Sequence, residues 1–225
     1  AVNKTAIMLA ILISTAAISW NFPSPFIVML SYIGIFAAAI ASVVTFGFWM
    51  PFIGFIINPR PYLAPKTWLI FAFGEGFFIG LISLSFETMF PGIVLEAVSL
   101  TFCVAATLLF LYKSGIVKPS QNFVLMVCSA VFGIFLFYIG TFIYSLITGV
   151  SPEIFSGSSN VSIGLSLFIV AMAAFSLVLD FDIIEQSAEY GSPKYMEYFG
   201  AMALVTTLIW LYIEILRLLA KFRSR

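Results

Sequence analysis

The fold is decided mainly by the C-terminal stretch, in which residues 177–225 read LVLDFDIIEQSAEYGSPKYMEYFGAMALVTTLIWLYIEILRLLAKFRSR. An apolar segment runs directly into three acidic residues, Asp180, Asp182 and Glu185. A short polar turn follows, and a long apolar segment then carries Glu214 and Arg217. Charged groups at the edge of a hydrocarbon layer, or within it, are costly to keep there. They are therefore the first candidates for function.

The composition of the whole chain predicts a protein of the lipid bilayer. Of its 225 residues, 62% are hydrophobic and 9% are charged, whereas a soluble domain has about 25% charged residues. The formal net charge is zero, so no broad basic surface is available for nucleic acid. The chain has no histidine. This excludes histidine-dependent triads and histidine metal ligands, and any pH response must come from carboxyl groups.

Seven apolar segments approach or exceed the roughly 20 residues that a membrane-spanning helix needs. They lie at roughly residues 5–20, 26–57, 67–86, 93–112, 122–149, 161–181 and 198–220. The sequence therefore predicts an all-α membrane protein, a seven-transmembrane-helix bundle forming a single domain over residues 1–225. In the long second segment, Gly47 and Pro51 predict a kink or an end. Residues 183–197 are polar and could hold a short helix before the turn at residues 191–193.

Basic residues occur in the second, fourth and sixth connections and not in the first, third and fifth. This alternation predicts that the even connections and the N-terminus are cytoplasmic. Seven spans then put the C-terminus outside, but three bases in the tail, Lys221, Arg223 and Arg225, favour the opposite side. Either the tail breaks the rule or one segment does not span fully.

No motif in the sequence indicates an enzyme. The middle of the last segment, around Leu208 to Leu211, lacks the lysine of a retinal protein. Motifs of serine and aspartyl intramembrane proteases are missing, as are phosphate loops and dinucleotide fingerprints. We therefore expect no catalytic residue and no cofactor other than a bound Ca²⁺.

The acidic residues are left as candidates for ion binding or pH sensing. Glu75 is predicted near the middle of the bilayer, either in an ion pathway or as a neutral acid hydrogen-bonded across a helix interface. Asp180 and Asp182 point about 200° apart on a helix, whereas Asp182 and Glu185 share a face. The alternative for all three is a solvated helix end.

Glu214 and Arg217 are three residues apart, so a local ion pair is the simplest interpretation. Thr207 lies two turns before Glu214 on the same face and is a candidate to line a pore. A bundle interior lined by Thr207, Glu214 and the acids of other segments would suit a hard cation such as Ca²⁺, which prefers oxygen ligands. The candidate ligands are Asp180, Glu75 and Glu214.

Several stretches resemble a bacterial branch of the transmembrane Bax inhibitor motif family. They are LVLDFDIIEQ, GSPKYMEYF, TLIWLYIEILRLLAKF, GEGFFIG, NPRPYLAP and FPGIVLEAV, and the resemblance covers most of the chain from about Asn58 onward. It implies a seven-helix bundle of the bacterial inner membrane with the last helix in the middle. It also implies a pH-sensitive Ca²⁺ leak, and for some bacterial members an influence on a membrane-bound protease.

In that family two aspartates, on the sixth and seventh helices, form the pH-sensing pair. The sixth-helix position matches Asp180, and the seventh aligns with Thr207, which does not titrate. Glu214 and Glu75 are candidates to replace the second acid, and Arg217 is a candidate counter-charge for the closed state. Asp182 and Glu185 resemble features of this branch.

Three functions follow as hypotheses. The first is a pH-sensitive calcium or cation leak channel gated by protonation of intramembrane carboxylates. The second is a non-conducting regulator that binds a membrane protease or another membrane partner. The third, a solute or proton-coupled transporter, is disfavoured because the sequence shows no internal repeat. The sequence leaves the oligomeric state open.

Overall fold

The fold is all-α, as predicted. The structure is a computed structural model that describes residues 2–46, 60–150, 152, 157 and 159–225. These described parts hold seven long helices and no strand. The helices are α1 (Val2–Asn21), α2 (Pro25–Phe46), α3 (Ala64–Met89), α4 (Ile93–Lys113), α5 (Gln121–Thr148), α6 (Asn160–Glu189) and α7 (Tyr195–Arg223), with a 3₁₀ turn at Pro61–Leu63 before α3. All seven are long and apolar enough to cross a membrane.

One helix extends further than the sequence predicted, and part of another predicted segment lies outside the described residues. Helix α6 continues to Glu189, so the polar residues after 181 extend this helix and do not form a separate short one. Polar residues are tolerated there because a helix that leaves the hydrocarbon keeps its backbone hydrogen bonds in water. The rest of the second predicted segment, residues 47–57, lies outside the described residues, and so does the kink expected at Gly47 and Pro51.

The chain divides into two compact units. Unit 1 comprises Ala1–Met89 and Ile183–Thr206, and unit 2 comprises Phe90–Asp182 and Thr207–Arg225. Each unit therefore contains part of α6 and part of α7. In the most apolar 18-residue stretch of α7, 50% of the residues are buried, a larger share than in any other helix described. It supplies fully buried residues to both units, Met202 and Val205 to unit 1 and Leu211 and Leu216 to unit 2.

Unit 1 is assembled on the glycines of α3, which packs against both α1 and α2. The Cα of Gly74 would lie 3.0 Å from a Cβ placed on Gly34 of α2. Gly76 and Gly80 are in the same way closed in by the backbone of α1 at Leu12 and Ala16. The spacing of small residues on α3 thus lets the helix backbones meet, which is how helices associate without a hydrophobic driving force in lipid.

The first part of α7 completes unit 1 with aromatic contacts. The ring centroids of Phe46 and Phe199 are 4.9 Å apart, and those of Trp68 and Tyr198 are 5.4 Å apart in an edge-to-face arrangement. Such geometries are favoured by the quadrupoles of aromatic rings. Lys4 lies over the Tyr198 ring at 4.7 Å. Residues 195–206 are therefore held against the start of α1 and of α3.

Unit 2 has an apolar cluster formed by α5 and α6. Ile134, Ile169 and Met172 are buried in it, and Phe175 and Trp210 pack against it. Phe123 and Phe175 add an edge-to-face contact with centroids 5.6 Å apart. The cluster brings α5, α6 and the second part of α7 together.

The basic tail is bound at one end of unit 2. Arg223 donates to the Pro91 carbonyl at 2.7 Å and to Glu96 at 2.6 Å, beside the start of α4. Arg225 donates to Asn160, the first residue of α6, at 2.6 Å. The C-terminal end of α7 is therefore level with the third and fifth connections. This is the arrangement that seven spans require, and the tail bases are engaged by acceptors of other helices.

Candidate functional site

Asp180 and Thr207 form a polar pair in unit 2. The hydroxyl of Thr207 on α7 donates a hydrogen bond to the carboxyl of Asp180 on α6. The second oxygen of that carboxyl, Oδ2, is buried and has no hydrogen-bond partner among the described residues. The two positions that the family resemblance paired in sequence are thus neighbours in space. A carboxyl with one oxygen unsatisfied in an apolar setting is poorly stabilised when ionised, unless a cation or water reaches it.

Asp182 is directed elsewhere, as its spacing from Asp180 predicted. It accepts a hydrogen bond from the Tyr112 hydroxyl of α4 at 3.2 Å. The Tyr112 ring also packs near Phe181, with centroids 6.0 Å apart. Glu185 is exposed and belongs to unit 1. The three acids of this stretch therefore have three separate environments within their own units.

Glu214 lies at the centre of a polar network in unit 2 and is only 2% exposed. Arg217 donates to its Oε1 at 3.1 Å, which confirms the ion pair expected from the i, i+3 spacing. Tyr138 of α5 donates to the same oxygen at 2.6 Å, and Arg217 also reaches the Tyr138 hydroxyl at 3.4 Å. Tyr138 was missed at the sequence level. Its only signal there was a tyrosine hydroxyl in an apolar segment that carries several other hydroxyl groups.

Lys221 is a second functional candidate that sequence reasoning missed. It is 8% exposed and donates to the Ser166 hydroxyl at 2.8 Å and to the Ser162 carbonyl at 3.3 Å. In the sequence it counted only as one base of the tail. The signal that could have found it is its spacing, since Lys221 is seven residues after Glu214 and fourteen after Thr207. These three residues form one polar stripe along α7.

Glu75 belongs to unit 1, whereas Asp180 and Glu214 belong to unit 2. It is half-buried on α3, between the two glycines that contact α2 and α1. Among the described residues, no group of three histidine, cysteine or acidic side chains could hold a metal ion. The predicted grouping of Asp180, Glu75 and Glu214 around one Ca²⁺ involves residues of both units and stays a prediction. A role of each acid in contacting a passing cation stays a prediction.

The comparison with protein families accounts for the resemblance seen in the sequence. A family profile described as "Bax inhibitor 1 like" matches residues 1–224. The chain belongs to this Bax inhibitor 1-like family. The match includes the first two helices, which precede the main part of the sequence resemblance from about Asn58 onward. No curated protein and no solved structure matches this family member significantly.

Family membership bears on the contact of Asp180 with Thr207 and on the contacts of Glu214 with Tyr138 and Arg217. This Bax inhibitor 1-like chain places a threonine against Asp180, so the pair contains a single titratable group. The nearest acid on the same stripe of α7, Glu214, is already bonded to Tyr138 and Arg217. Within unit 2, the Oδ2 of Asp180 is thus buried without a hydrogen-bond partner among the described residues. The Oε1 of Glu214, by contrast, accepts hydrogen bonds from Tyr138 and Arg217.

Proposed function

We propose that this protein is a pH-sensitive cation leak channel of the bacterial inner membrane, with Ca²⁺ as the expected ion. Its pathway runs through unit 2, and protonation of Asp180 controls it. The observation that supports the proposal best is the buried, unpartnered Oδ2 of Asp180. An ionised carboxylate there offers a cation one free oxygen, whereas the protonated group is neutral and attracts none.

The remaining groups have assigned roles in this proposal. Thr207 holds one oxygen of Asp180 and so orients the other. Arg217 acts as a counter-charge to Glu214, the acid with which it is bonded. Because the pair at Glu214 is neutral overall, it does not repel a passing cation. The proposal assigns no catalytic role to any residue.

The direction of the pH dependence follows from this chemistry. Cation entry needs ionised Asp180, so we expect a larger Ca²⁺ flux into proteoliposomes at about pH 8 than at about pH 6. Asp180→Asn keeps the size of the side chain and resembles the protonated acid. We therefore expect this variant to show the low flux of the wild type at the lower pH, at both pH values.

A matched control comes from the neighbouring acid. Asp182→Asn removes a carboxylate two residues away that is bonded to Tyr112 and not to Thr207. We expect it to keep the pH dependence. A wild-type flux that does not change with pH would contradict the proposal, and so would pH dependence that survives in Asp180→Asn.

A non-conducting regulator of a membrane protease or another membrane partner is the second candidate. It is favoured by the engagement of Glu214 with Tyr138 and Arg217, because such bonds are typical of acids with a structural role. Under this alternative, proteoliposomes holding folded protein show no flux at either pH. The protein would then co-purify from its native membrane with a stoichiometric partner.

A further inference from the structure

Lys221 is the last residue of the polar stripe of α7 that begins with Thr207 and continues through Glu214. Thr207 contacts Asp180 of α6, and Lys221 contacts Ser166 of the same helix. The two contacts are fourteen residues apart on each helix, so α6 and α7 are antiparallel and the contacts are separated by about 21 Å along α7. Lys221 therefore faces the same helix as the residue that orients Asp180 in the proposed function.

The ammonium group of Lys221 is bound by neutral acceptors. The residue is 8% exposed, and its Nζ donates to the Ser166 hydroxyl at 2.8 Å and to the Ser162 carbonyl at 3.3 Å. Neither acceptor carries a charge. Among the described residues, no carboxylate is hydrogen-bonded to this ammonium, so its positive charge is not neutralised by a direct partner.

The buried acid two turns earlier on α7 is already engaged. Glu214 is paired with Arg217 at 3.1 Å. It also attracts the ammonium of Lys221, which Arg217 repels. One carboxylate is thus shared by two cations, and the three side chains together carry one net positive charge.

A net charge in an apolar interior acts over a longer distance than a charge in water, because protein and lipid screen it less. It opposes the approach of a cation in proportion to the charge of that cation, so twice as strongly for Ca²⁺ as for K⁺. Fixed positive groups form electrostatic barriers to cations in other membrane pores.

We propose that Lys221 is an electrostatic barrier that limits the cation leak through unit 2 and restrains Ca²⁺ more than monovalent cations. The barrier acts through the field of the ammonium, so an ion need not contact the lysine. This inference rests on the proposed leak function and names the residue that sets its rate and its ion preference.

The test is to remove the charge and to measure two ions of different charge. Lys221→Met keeps the length of the side chain and loses the ammonium. Because the barrier scales with the charge of the ion, the factor by which influx rises for Ca²⁺ is the square of the factor for K⁺. In proteoliposomes at about pH 8, we expect K⁺ influx to rise about threefold and Ca²⁺ influx about tenfold above the wild type.

Two further variants serve as controls. Lys221→Arg keeps the positive charge and should restore the wild-type influx of both ions. Lys118→Met removes a lysine from an exposed position of the fourth connection, where water screens its charge, and should leave both fluxes unchanged. Size-exclusion profiles in detergent establish folding for every variant. If Lys221→Met does not fold, Lys221→Gln replaces it with the same expectation.

The outcomes separate the barrier from the leak function. Wild-type flux that depends on pH, together with no increase in the folded neutral variant, overturns the barrier and leaves the function in place. Equal factors for Ca²⁺ and K⁺ mean that packing has loosened, and they also overturn the barrier. If neither the wild type nor the neutral variant conducts, both proposals are rejected.

Discussion

Replacing Gly76 with alanine tests how closely α3 and α1 pack in unit 1. A Cβ at this position would meet the Thr15 hydroxyl and would lie 2.6 Å from the Leu12 carbonyl oxygen. The carbonyl belongs to the backbone of α1 and cannot rotate away, so the helices must separate locally. Overpacking of this kind costs about 1–3 kcal/mol. The higher helix propensity of alanine returns up to about 1 kcal/mol.

We therefore expect Gly76→Ala to lose about 1–2 kcal/mol of stability, which for a chain of this size lowers Tm by roughly 2–8 °C. Thermal unfolding of the purified protein in detergent, followed by tryptophan fluorescence, measures the change. Gly133→Ala on α5 is the control, because a Cβ there would meet no atom within 4 Å. Equal Tm values for the two variants would refute the close packing of α1 and α3.

Two further predictions concern a hydrogen bond in unit 2 and the sides of the membrane on which α7 begins and ends. Tyr138→Phe removes the donor to Glu214, a charged hydrogen bond that contributes about 1.5–3 kcal/mol. We expect a lower Tm, whereas Tyr144→Phe, at an exposed position on the same helix, should leave Tm unchanged. Ser224→Cys should react with an impermeant maleimide added outside spheroplasts, and Lys194→Cys should not, both in a cysteine-free background. The reverse labelling pattern would contradict the predicted orientation with a cytoplasmic N-terminus, and labelling of both variants or of neither would contradict a membrane-spanning α7.

The number and type of the helices could be predicted from the sequence, because each is a long apolar run and the bilayer sets the length that a helix needs. The end of α6 could not. The polar residues after Phe181 looked like a break, but polarity only shows where hydrocarbon ends, and nothing between 181 and Glu189 stops a helix. The division of α6 and α7 between two units also has no local signal.

In the candidate site, the sequence predicted contacts within one helix but missed most contacts between helices. The bond between Glu214 and Arg217 is local, so helical spacing was enough to predict it. The neighbourhood of Asp180 and Thr207 came from the family alignment, since their contact joins two helices. Tyr138 and Lys221 were missed because their partners are 76 and 55 residues away in the chain. Long-range pairing of this kind leaves no periodic pattern in a single sequence.

The tail contacts carry a consequence for how the protein is made. Arg223 and Arg225 bond to groups at the start of α4 and of α6, both synthesised earlier than the tail. Under the seven-span topology the cell must move these positive charges across the membrane after the other helices are inserted. The hydrogen-bond acceptors at Pro91, Glu96 and Asn160 are already present on that side of the membrane and offset part of the cost. A nascent chain that stops before the last helix leaves those acceptors to be hydrogen-bonded by water.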